Sequence, residues 1–194
     1  MAETSTGAGA ESPETAGQAP PKRRRITRRK AVEEHARSYF DALARRDPNA
    51  MVGHWREEGV DDIVPLDVLR GRDEIAAFFR ELFAALPDLE MSVTRVVAGE
   101  REAAVEWRMT GHFTGQPFRG IEATGRALAL RGIDLLEIED GKIVSNTAHY
   151  DGMAFARQVG LLPPQDSPAE RALRGAFNAT TRMRRVVADW RGNG

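Results

Sequence analysis

The sequence has no cysteine, which excludes a disulfide framework, a thiolate metal site and a cysteine nucleophile. It also has no apolar run long enough to cross a bilayer, and its amino terminus lacks the apolar segment of a signal peptide, so a cytoplasmic protein is expected. Aromatic residues make up only 7% of the chain. None is interleaved with the one strongly basic run, Lys22 to Lys30, which leaves no stacking surface for nucleobases there. The four histidines show no metal-ligand spacing, and no Gly-rich phosphate loop is present. No metal and no cofactor are therefore expected. Nor is there a repeat of solenoid period.

A chain of 194 residues suffices for one domain with tails. Its net charge of −1 is unevenly spread. Residues 1–30 carry +4, residues 166–194 carry +3, and the middle carries −8. An acidic middle with basic ends argues against a nucleic-acid-binding core, leaving weak contact by the tail as the most that is expected. Residues 1–27 read as a disordered basic tail, because Ala, Gly, Ser, Thr, Glu and Pro cannot bury enough surface to offset ordering entropy. Residues 28–164 read as the folded domain, and 165–194 as a separate amphipathic helix.

Within the domain, Val32, Ala36, Tyr39, Phe40 and Leu43 make the stripe of a first helix. Asp47-Pro48 opens a short second one, with Met51, Val52 and Trp55 on its inner side. An extended piece runs from Val60 to Leu66. Asp73-Glu74 begins a third helix, whose Ile75, Phe78, Phe79, Leu82, Phe83 and Leu86 recur at helical spacing until Pro87. Alternating strands follow from Leu89, through Val105, Trp107 and Met109, then Ile121 to Leu130. After Pro163-Pro164, Ser167-Pro168-Ala169-Glu170 matches a capping box. It leads a helix with Leu173, Ala176, Phe177, Thr180, Met183, Val187 and Trp190 along one side and arginines on the other. That helix is expected to pack on its own domain or a partner rather than on a membrane.

The strongest local signal is Asp140-Gly141 between two apolar runs, which marks a type I′ hairpin. A simple two-residue turn places Ile138 opposite Ile143, Leu136 opposite Ser145 and Asp134 opposite Thr147. By alternation, one face then carries Leu136, Ile138 and Ile143 followed by Asp134, Thr147, His149 and Asp151. A face that is oily at one end and polar at the other suggests a pocket. Val144, Ala148 and Tyr150 would form an apolar outer patch, fit for pairing two copies.

Helices followed by mostly antiparallel strands give an α+β order. The chain resembles the nuclear transport factor 2-like superfamily and, within it, the SnoaL-like polyketide cyclases. The residues that carry the resemblance are Gly71-Arg72-Asp73-Glu74-Ile75, the run from Phe118 to Arg126, Glu139-Asp140-Gly141-Lys142-Ile143-Val144, and Gln158-Val159-Gly160-Leu161-Leu162. The resemblance implies a cone: a strongly bent, mixed or antiparallel sheet wrapped around the N-terminal helices, enclosing a pocket. It also implies cofactor-independent cyclisation or isomerisation of a small apolar carbonyl compound, and a homodimer. Asp151 stands where the cyclases place their acid/base. Tyr39 and Asp134 stand where the related ketosteroid isomerases place oxyanion donors. Those isomerases have an aspartate before a proline in the first extended segment. Here Asp61-Asp62-Ile63-Val64-Pro65 puts Val64 there, which argues against steroid isomerisation. His112 is shifted from the family's usual Gly-Thr-His-Thr-Gly.

Two readings stand, the first taking the role of Asp151 from what the resemblance implies. In one, Asp151 is the acid/base, Asp134 and His149 are its partners, and Tyr39, Trp55, Trp107 and Thr147 hold the ligand. In the other, Asp134 bonds Thr147 across the strands, His149 is a satisfied core histidine, Asp151 caps the following turn, and the domain binds ligand or pairs without catalysis.

Overall fold

The computed structural model describes residues 22–192. Of the expected tail, residues 1–21 lie outside the described residues, while 22–27 are already helical. Helix α1 (Lys22–Ala44) starts earlier than its apolar stripe because its basic first turns are tied to the body. Arg25 pairs with Glu100, and Arg29 Nε donates to the Ala98 carbonyl at 3.1 Å. Asp47 caps α2 (Pro48–Gly53), accepting from Ala50 N at 3.0 Å. The extended piece proves to be a long strand β1 (Trp55–Val64), which turns back into β2 (Asp67–Arg70) before α3 (Gly71–Ala85). Four strands follow: β3 (Glu90–Ala98), β4 (Glu102–His112), β5 (Ala127–Glu139) and β6 (Lys142–Tyr150). Short α4 (Gly152–Val159) and long α5 (Pro168–Gly192) close the described chain.

The six strands form one curved, unclosed sheet in the order β2-β1-β6-β5-β4-β3. All neighbours are antiparallel except β1 and β6, which run parallel. Residues 121–126, expected to be strand, stay in the loop before β5. Phe113 N donates to the Arg126 carbonyl and Gly125 N to the Phe113 carbonyl, so the segment folds on itself instead. Helix α1 packs on β3 and β4, and α3 on β1 and β2. The α3 stripe meets the sheet as its spacing predicts: Ile75, Phe78 and Phe79 are buried, each side chain stabilising by about 1.5–3 kcal/mol.

The hairpin departs from the expected register. Asp140 and Gly141 both have positive φ, 49° and 70°, as the turn requires. Ile138 does face Ile143, but the next pair is Glu137 with Ser145, so Val144 is an extra, bulged residue. From there Leu136 faces Asn146 and Asp134 faces Ala148. A slip of one residue turns every following side chain to the other face. Asn146, Ala148 and Tyr150 therefore point inward with Asp134, while Thr147 and His149 point outward. The expected outer patch of Val144, Ala148 and Tyr150 is corrected for the same reason. The apolar side chains exposed on the outer face are Val68, Val97, Ile133 and Leu135.

Candidate active site

Three polar side chains lie among the buried apolar ones: Asp61 on β1, Asp134 on β5 and Asn146 on β6, exposed by 1%, 6% and 2%. They meet because β6 lies between β1 and β5 in the sheet. Asn146 Nδ2 donates to both aspartates, at 2.9 Å to Asp61 Oδ1 and 2.8 Å to Asp134 Oδ2. Trp107, on β4, donates its indole N–H to Asp134 Oδ1 at 2.7 Å. Trp107 reaches that atom by lying over Gly132, where a Cβ would overlap the indole ring. Asn146 Oδ1 is buried and has no hydrogen-bond partner among the described residues.

Burial disfavours the charged form of a carboxyl, and donors restore it. Asp61 is pushed up to about 8, first by desolvation and then by the charge of Asp134, against the single bond from Asn146. Asp134 is pushed up to about 6 by desolvation, opposed by its bonds from Trp107 and Asn146 and by His149. Two carboxyls bridged by one amide titrate as a pair. Asp61, the member with one donor, is the more readily protonated of the two, and Asp134, with two donors, the more readily ionised.

The pair sits at the wall of an apolar cavity of about 90 Å³. Phe78, Phe79, Met109, Phe118 and Leu130 make much of its lining. Leu66, Leu82, Met91, Tyr150 and Phe155 are only half-buried and form its solvent side. The Tyr150 ring meets Phe155 of α4 edge-on at 6.1 Å. Desolvation raises the Tyr150 hydroxyl, so it is a neutral donor. The cavity is smaller than the roughly 150 Å³ that admits benzene.

The expected site residues separate. Asp134 and Trp107 line the cavity and touch each other. Tyr39 is wholly buried behind them, and desolvation and the charges of Asp61 and Asp134 raise its hydroxyl well above the usual tyrosine range. Trp55 is core, edge-on to Tyr39 at 6.0 Å, and does not line this cavity. Thr147 and His149 are on the outer face. Asp151 is exposed and is the N-cap of α4, accepting from Ala154 N at 2.9 Å. Asp61 and Asn146 were not among the expected residues. The signal for Asp61 was available, since alternation along β1 sets Asp61 with buried Ile63. For Asn146 there was none, because the bulge at Val144 is set by pairing with β5. Among the described residues, no group of three acidic or histidine side chains is placed to hold a metal.

The SnoaL-like polyketide cyclase family model matches residues 33–159, the span that contains the cone and both aspartates. The chain belongs to that family. Solved structures agree on the fold. A protein named for the SnoaL-like polyketide cyclases, from Jannaschia sp. CCS1, superposes with a TM-score of 0.64 at 19% identity, covering 76% of this chain and all of that one. TsrD from Streptomyces laurentii gives 0.61 at 24% identity, covering 69% and 98%. A protein with a ketosteroid isomerase-like fold from Catenulispora acidiphila, solved with trimethylamine, gives 0.57 at 20%, covering 71% and 99%. At such identities these likenesses establish the fold alone. No curated protein matches the sequence. No helix among the described residues is long and apolar enough to cross a membrane.

Proposed function

We propose that this SnoaL-like protein is a cofactor-independent cyclase or isomerase that moves a proton next to the carbonyl of a small apolar compound. The observation that supports it is the buried Asp61–Asn146–Asp134 bridge at the wall of an apolar cavity. Proton abstraction beside a carbonyl needs a base poised near neutral pH and a donor for the developing enolate oxygen. Asp134, ionised and anchored by two donors, is the base. Asp61, neutral, is the donor, and the Tyr150 hydroxyl orients the ligand from the solvent side. The two carboxyls differ in protonation because their environments differ, the pattern that separates acid from base in one pocket. Asp151, expected from the resemblance to be the acid/base, caps α4 away from this cavity and takes no part in the proposed step.

The test is deuterium exchange at the carbon beside the carbonyl, followed by NMR over a panel of cyclic ketones and β-keto esters. Acceleration by wild type that is lost in Asp134→Asn supports the reading. Native mass spectrometry that finds a bound compound, with no acceleration of its exchange, would establish a binding module instead.

We also propose that the protein is a homodimer that pairs through the outer sheet face. Val97, Ile133 and Leu135 are each about half exposed there, and Val97 and Leu135 flank Ala104 in register. Leu135→Glu should convert a sedimenting dimer to monomer, and a wild-type monomer at micromolar concentration removes the idea.

A further inference from the structure

Helix α5 leaves the cone uncovered on every side past its first turn. Only its start is tied down: Ser167 Oγ accepts from Glu170 N at 3.1 Å, and the Glu170 carboxylate accepts from Asp166 N at 2.7 Å and from Arg157 of α4 at 2.8 Å. Beyond that, Leu173, Phe177 and Met183 are exposed by 54%, 69% and 68%. At 100° per residue these three share one side with Ala169, Ala172, Ala176 and Thr180. Arg171, Arg174, Arg182 and Arg185 occupy the opposite side, while by the same spacing Arg184 and Arg191 fall on the apolar side beyond Phe177, so that side is continuous only over residues 169–183. The helix holds six arginines against Glu170 and Asp189, a net charge of +4 on a chain whose residues 31–165 carry −8.

We propose that α5 is an interfacial helix that lies on an anionic lipid bilayer, its apolar side in the acyl boundary and its arginines among the headgroups. Its apolar arc covers about half the circumference, wider than the two-position seam of a coiled coil. Pairing α5 with α5 of a second copy would set +4 against +4, and the acidic residue at the flank, Glu170, is already bonded to Arg157. An anionic surface supplies the missing countercharge, and a bilayer boundary accepts an arc of that width. This corrects the expectation that the helix packs on its own domain: its described side chains past the first turn stay at the surface. Helix α4 carries Arg157 toward α5 and Phe155 into the cavity. A docked α5 thus holds the cavity beside the phase into which apolar compounds partition. This last point rests on the function proposed above, whereas the test below does not depend on it.

The test is co-sedimentation of the full chain with vesicles of phosphatidylcholine alone or mixed equally with phosphatidylglycerol. Binding is expected only to the mixed vesicles, and to fall with salt. The exposed pair Phe177→Asp and Met183→Asp should abolish it without changing the melting temperature. Arg174→Gln with Arg185→Gln should weaken it by about 25-fold, since each cation near the surface counts for roughly a factor of five. Failure to bind mixed vesicles overturns the proposal. So does binding that survives Phe177→Asp with Met183→Asp, which would transfer it to the basic start of α1. So does a dimer that dissociates on those same substitutions, which would make a second copy the occupant.

Discussion

Asp134 and Asp151 belong to the same stretch of chain, one on β5 and the other directly after β6, and they have opposite surroundings. Asp134 is buried, takes bonds from Trp107 and Asn146, and is pushed up toward neutral pH. Asp151 is exposed and accepts a backbone N–H, as an N-cap does. The two faces thus give the same side chain two different surroundings. What separates them is a single bulged residue, Val144, which turns Asn146 inward and His149 outward.

The comparison breaks first at activity. Asp134→Asn should lower proton-exchange turnover by about two to four orders of magnitude, while Asp151→Asn, which keeps the cap, should leave it within about twofold. Comparable losses in both would mean that the faces are not distinct.

Next in size is a pH effect on stability. Both buried carboxyls have folded pKa values above those of the unfolded chain, to about 8 for Asp61 and about 6 for Asp134. Between pH 4 and 8 the native state therefore holds protons that the unfolded state has released, so stability falls as pH rises and levels off above about 8. Asp61→Asn removes the larger part. Denaturant melts should find the variant more stable than wild type by about 2–4 kcal/mol at pH 9, with the gain vanishing near pH 4. Such a gain alongside lost turnover would mark a group kept for chemistry at a cost in stability. A loss of stability at pH 9 would mean that Asp61 is ionised and held by donors.

Gly132→Ala is expected to cost about 1–3 kcal/mol by overpacking against Trp107. It should also shift the pH profile of exchange, because the indole can no longer reach Asp134. A melt and profile equal to wild type would remove Trp107 as the positioning residue. The smallest effect is expected at His149, on the outer face. His149→Ala should change stability by less than about 0.5 kcal/mol. His149 pairs in register with Ile133, so a larger loss in calorimetry would place it inside the proposed dimer interface.

Much of this was legible in the sequence. Helical periodicity marked α3, and Asp-Gly marked the β5–β6 turn, because turn type and apolar spacing are local properties that a few neighbouring residues decide. Asp134 and Trp107 were legible as cavity-facing residues because each lies on the strand side that carries the large apolar groups. The face assignment held as far as Ile143 and failed beyond it. Reading on from the turn assumes unbroken alternation, and Val144 interrupts it.

The sequence by itself determined the family, the α+β order, the turn at Asp140-Gly141 and an amphipathic last helix with an arginine side. Tertiary structure decided which polar groups meet. Asp61 and Asn146 are 85 residues apart, and they touch only because β1 inserts parallel beside β6. Such pairing depends on backbone hydrogen bonds between distant strands, and a strand's own residues carry no record of its partner or its register.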